Sequence, residues 1–157
     1  MRTIFAAALI GAVAVAASAA QQQPAVSAND DAAIRKVITD LDASRNAGGT
    51  ISAAFAADAD QLTSSGEWRV GPSGIEKGYE LSHTTVYKGG KYVTKLEKIR
   101  MLAPNVAIAD GPFEVQNIPG GTRHAHVSYV LVQTGGQWRI SAVRSMVSTP
   151  PGPTPAK

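Results

Sequence analysis

The segment Val127–Ser148, VSYVLVQTGGQWRISAVRSMVS, decides the reading of this chain. Two runs of β-branched and aromatic residues flank Gly135-Gly136, a pair that permits the positive φ angles of a tight hairpin turn. Period-two alternation places Trp138, Ile140, Ala142 and Arg144 on one face of the second strand. Three core-type residues thus lead to a guanidinium, which needs an anion if it lies beside an apolar sheet face. A two-residue Gly135-Gly136 loop pairs Thr134 with Gln137, Leu131 with Ile140 and Val127 with Arg144, leaving His124 and His126 on the opposite face. A three-residue loop pairs His126 with Arg144 instead, because a one-residue slip turns a strand over. Val127 to Val132 is apolar on both faces, so both registers stay open, with the two-residue turn preferred.

Outward from this hairpin, the preceding chain is also strand-like. Tyr92–Leu102 reads as one run, Ala103-Pro104-Asn105 as a turn and Val106–Val115 as a second run, with Pro112 marking an edge or a bulge. Helical patterns come earlier. Asn29 is placed to cap a helix carrying Asp30 and Asp31 in its first turn, and Ala33, Ile34, Val37, Ile38 and Leu41 form its apolar stripe. A second short helix is expected from Thr50 to Ala57 and a third from Pro72, with Ile75 and Tyr79 inward. Between them, Gln61–Ser64 and Glu67–Val70 read as short strands. Helices followed by a meander describe an α+β fold: a cone-shaped, curved antiparallel sheet capped by about three N-terminal helices. The mouth of such a cone is a natural small-molecule pocket.

The ends read differently. Met1-Arg2-Thr3, the apolar run Ile4–Ala17 and the small residues Ala17-Ser18-Ala19 match a secretory signal peptide over 1–19, too short for a comfortable membrane span. Its removal leaves 138 of the 157 residues and implies a periplasmic or secreted protein with no membrane span. Residues 20–28 read as a linker, 29–148 as the domain and 149–157 as a proline-rich tail. The absence of cysteine excludes disulfides, thiolate metal sites and a cysteine nucleophile. A net charge of only +3, without a basic run, argues against a nucleic-acid partner.

The order Ala57-Asp58-Ala59-Asp60, Trp68-Arg69-Val70-Gly71 before a helix with Ile75, Leu102-Ala103-Pro104-Asn105-Val106-Ala107 and Gly136-Gln137-Trp138-Arg139-Ile140 resembles the nuclear transport factor 2-like superfamily. Within it, the SnoaL-like and ketosteroid-isomerase-like small domains are most similar. The resemblance spans roughly Asp30 to Pro150. It implies the conical fold, a homodimer and a small-molecule ligand, with an acid/base isomerase, cyclase or dehydratase acting on a small apolar carbonyl compound as the enzymatic form. One departure stands out: Gly49 occupies a loop position where family members often carry an acid.

Candidate site residues follow. Asp58 is the candidate catalytic acid/base and the nominated partner of Arg144, a role that requires burial to raise its pKa; the plain alternative is an ion pair at the rim. Trp68, Tyr79, Tyr129, His126 and Arg144 are the candidate ligand-binding residues, although such aromatics also serve as ordinary core. His124 and His126 share a strand face but lack a third ligand, so no metal is expected, and no cofactor. The competing class is a non-enzymatic homodimeric interaction module whose cone is filled by side chains.

Overall fold

A computed structural model describes residues 24–147. The expected signal peptide and proline-rich tail lie outside the described residues, as do residues 20–23 of the expected linker. Helix α1 (Ala28–Asn46) is capped by Ser27, not Asn29: the Ser27 Oγ accepts the Asp30 backbone N–H at 3.0 Å. Its buried stripe runs Ile34, Ile38, Leu41 and then, in the same phase, Asp42 and Arg45. Helical periodicity therefore carries a charged pair into the apolar interior.

The expected second helix is a single 3₁₀ turn, Ser52–Ala54, followed directly by strand β1 (Phe55–Leu62). Alanine-rich helix propensity here is outweighed by pairing on both sides of the strand. Strand β1 runs antiparallel to β2 (Trp68–Val70) and parallel to the last strand, β7 (Gln137–Met146). Helix α2 (Gly71–Thr84) begins with Pro72 in its first turn and buries Ile75 and Tyr79.

The remaining strands are β3 (Lys91–Thr94), β4 (Lys98–Ala103), β5 (Val106–Gln116) and β6 (Arg123–Thr134). The sheet order is β2-β1-β7-β6-β5-β3, with β4 also paired to β5. The β1–β7 pair makes this curved seven-stranded sheet mixed, where an antiparallel one was expected. Strands β3 and β4 are the expected single run, broken at Lys95–Glu97 opposite Gly111-Pro112. Lys95 N–H donates to the Pro112 carbonyl at 3.0 Å and Glu97 N–H to the Asp110 carbonyl at 2.9 Å, so the kink remains bonded. It needs the glycine: a Cβ on Gly111 would overlap the Lys95 carbonyl oxygen.

The hairpin turn has two residues, Gly135 and Gly136, with φ of 58° and 78°, and Thr134 faces Gln137 as the preferred register requires. Beyond Leu131↔Ile140, however, a bulge inserts Ser141, and the pairs become Val130↔Ala142, Tyr129↔Val143 and Ser128↔Arg144. A bulge shifts the alternation by one residue. Trp138, Ile140 and Val143 consequently face the helices, whereas Arg144 faces outward with Ser128 and His126. The inner face, with Tyr129, Leu131, Ala107 and Val115, packs on α1 and α2 as one core.

Candidate functional site

The helices do not fill the cone. A cavity of about 520 Å³ remains between α1, α2 and the concave sheet face. Its inner end is made by the buried side chains of Arg45, Tyr79, Tyr92, Tyr129, Val127 and Val143. Its outer end includes Ser64, Ser65, Glu67, Arg69 and Arg123, with the exposed Leu81 and Val86 beside them.

The inner end is built by stitching the last turn of α1 to β3. Asn46 both donates to the Tyr92 carbonyl at 2.8 Å and accepts the Tyr92 N–H at 2.7 Å. Asp42 accepts the Thr94 N–H at 2.6 Å through one oxygen, and with the other accepts from Arg45 Nη1 at 3.3 Å. Arg45 is only 6% exposed, with its guanidinium 5.7 Å from the Tyr92 ring centroid and 6.0 Å from that of Phe113. The Tyr79 hydroxyl donates to the Arg45 carbonyl, fixing the helix end.

Buried polar atoms here without a partner in the protein include Arg45 Nε and the Tyr92 hydroxyl oxygen, with Thr94 Oγ1 and His83 Nδ1 nearby. An unsatisfied buried donor costs about 1–3 kcal/mol, so such atoms ask for an explanation. Burial pushes the hydroxyls of Tyr92 and Tyr129 above the ordinary tyrosine range, against the opposing pull of the Arg45 charge. Both phenols therefore remain protonated donors at neutral pH. The inner end is a cluster of donors in an apolar cup.

At the outer end Arg69 is chelated by Glu67, with Nε–Oε1 at 3.0 Å and Nη2–Oε2 at 2.8 Å, and Nη2 also donates to Ser82 Oγ at 3.2 Å. The Arg69 guanidinium holds the Glu67 carboxyl below the usual range. Arg69 can lie across α2 because residue 78 is glycine: a Cβ there would overlap its side chain. Arg123 donates to Ser64 Oγ and stacks over Tyr87, its guanidinium 5.8 Å from the ring centroid.

The expected site residues divide between the two faces of the sheet. Tyr79 and Tyr129 line the cavity. Trp68, Arg144 and His126 lie on the outer face instead, because the Ser141 bulge turns Arg144 outward and β2 extends the sheet past β1. Asp58 is exposed and lines no part of the cavity; it sits in a strand rather than at a helix end. The carboxylate partner of Arg144 is Asp60, with Nη1–Oδ1 at 2.7 Å and Nη2–Oδ2 at 3.2 Å. Trp68 covers this pair, its ring centroid 4.9 Å from the Arg144 guanidinium. His124 meets Glu114 at 3.0 Å, an acid that spacing within its own strand did not reveal. Even so, among the described residues no group of three or more potential ligands gathers for a metal. His83, expected at the surface, stacks on Tyr79 with centroids 5.4 Å apart.

Asp42, Arg45 and Arg69 were not singled out by the sequence reading. A signal existed for the first two: they stand eight and eleven positions beyond Ile34, in phase with the stripe.

No family model matches the chain, and no curated protein matches it. Solved structures do. A cystatin-like domain of unknown function from Nostoc punctiforme superposes with a TM-score of 0.70 at 21% identity, covering 80% of this chain and 81% of that one. A nuclear transport factor 2-like protein of unknown function from Shewanella oneidensis gives 0.65 at 14% identity, with 74% and 98% covered. The fold is nuclear transport factor 2-like. A third protein, from Novosphingobium aromaticivorans and provisionally called a scytalone dehydratase, gives 0.67 at 15% identity, with 77% and 85% covered. At these identities the likeness concerns the nuclear transport factor 2-like cone itself, not the chemistry inside it.

Proposed function

We propose that this protein is an exported, homodimeric domain that binds a small, largely apolar molecule in its cone. The observation that carries this reading is the open cavity with buried, unpartnered donors at its inner end. A pocket of this size, mostly apolar with a few placed polar groups, is the usual form of a small-molecule site. Binding without turnover is favoured by the acid inventory. Among the described lining residues the one carboxylate is Glu67, already chelated by Arg69, and Asp58 lies elsewhere. A filled cone, as in a pure interaction module, is disfavoured by the same cavity.

Export rests on the N-terminal leader pattern. The homodimer rests on the outer sheet face, where Trp68 is 56% and Val70 74% exposed and Met146 also lies open. Native mass spectrometry on protein purified from its own extract tests the function, with a co-purifying small molecule on a dimer as the expected result. An empty protein, with no mass beyond the chain, would sink the binding reading. Sedimentation of Trp68→Glu checks the interface: a monomer is expected, and an unchanged dimer would place the contact elsewhere.

A further inference from the structure

The cavity is positively charged as well as apolar. Three arginines and one glutamate line it, a net of +2 that falls to +1 when Asp42, behind Arg45, is included. Low-dielectric apolar walls strengthen the field of such charges on anything inside. The buried guanidinium is also incompletely used. Asp42 takes only Nη1, at 3.3 Å, while Nε is buried without a partner. The Tyr92 hydroxyl, whose ring packs near the same guanidinium, is likewise buried without a partner. Tyr129, the third group beside Arg45, holds its proton at neutral pH and so offers the guanidinium a neutral hydroxyl oxygen but no counter-charge.

A guanidinium is best satisfied by a carboxylate, which can take two N–H groups side by side. A neutral carbonyl would answer these donors more weakly and leave the excess charge unmatched. The walls around this anchor are rings and aliphatic groups: Tyr79, Phe113, Val127, Val143 and Ile75. Resting on the small-molecule reading above, we infer that the ligand is an apolar or aromatic monocarboxylic acid, its carboxylate held at the inner end of the cone by Arg45 and Tyr92. Arg69 and Arg123 contribute attraction at the entrance, with Arg69 largely neutralised by Glu67.

The test compares 2-naphthylacetate with its neutral isostere 2-naphthylacetamide, by isothermal titration calorimetry at neutral pH on the purified protein. The carboxylate is expected to bind about tenfold or more tightly, the size of a charge-assisted hydrogen bond. Arg45→Met should erase that preference while leaving the affinity for the amide nearly unchanged. Because Arg45→Met strands Asp42 and can unfold the chain, Tyr92→Phe provides an independent check. It removes a hydroxyl that bonds nothing in the protein, so folding should persist while the carboxylate weakens about threefold. Equal binding of the two probes would overturn the carboxylate anchor while leaving the cavity-binding reading in place. A preference that survives Tyr92→Phe unchanged would also overturn it, as would one that survives Arg45→Met but disappears in Arg123→Gln, which would put the anion at the entrance. Binding of neither probe overturns it as well, and the broader reading then stands or falls with the co-purified molecule.

Discussion

Two of the Asp–Arg pairs among the described residues lie on opposite sides of the curved sheet, and they differ in everything except composition. Asp60–Arg144, on the outer face, is bidentate, covered by Trp68 and about one-third exposed on each side chain. Asp42–Arg45, at the inner end of the cone, is a single 3.3 Å contact between two nearly buried groups, with Nε left over. The better-formed pair is the structural one. Its donors and acceptors are spent on each other and water reaches the rest, so nothing is left for a ligand. The poorer pair keeps binding capacity in reserve because Arg45 lines the cavity while its Nε is buried without a partner. Good ion-pair geometry is therefore a poor guide to a binding site; incomplete satisfaction under burial is a better one.

The largest expected effect breaks this symmetry. Arg45→Met should cost about 3–5 kcal/mol, because it leaves the Asp42 carboxylate buried without its cation. Arg144→Met should cost less than about 1 kcal/mol, since Asp60 retains access to water. Urea unfolding of both variants measures the contrast, and similar losses would show that the two pairs are equivalent after all. An intermediate effect is expected at Gly111, on the inner face. Gly111→Ala forces a Cβ against the Lys95 carbonyl and should destabilise by about 1–3 kcal/mol, readable by thermal unfolding. Stability at wild-type level would mean that the kink between β3 and β4 can move freely.

The smallest effect concerns the entrance pair. The native pKa of Glu67 is lowered by Arg69, so its contribution is present above the ordinary carboxylate pKa and is lost as pH falls through the native value. With the Glu67 side chain half-exposed, the pair should contribute under about 1 kcal/mol. Wild type should exceed Glu67→Gln slightly in melting temperature at neutral pH and converge with it in acid, as pH falls below the ordinary glutamate range. A gap that widens in acid would reverse the assigned sign.

Much of this architecture was legible beforehand. Asn29 was two residues off as a cap because Ser27, upstream, offers a side-chain oxygen to the same first turn. The alanine-rich stretch after Thr50 was misread because strand pairing with β7 is a long-range contact that local propensity cannot contain. Arg144 was placed in the pocket because strict alternation was carried through Ser141, where a bulge interrupts it. Asp58 failed for a related reason: the parallel β1–β7 pairing sets Leu62 opposite Arg144, and the carboxylate that reaches the guanidinium is Asp60, two residues before Leu62.

The sequence by itself determined the α1 stripe, the Pro72 start of α2 and the conical α+β class, and it favoured the two-residue hairpin turn over the three-residue one. Each is set by periodicity or by the backbone preferences of a few neighbouring residues. Only the tertiary structure decided which arginine enters the cone. That choice depends on whether an extra residue is absorbed in β7 and on α1 docking its last turn against β3, and both are settled by pairing between segments far apart in the chain.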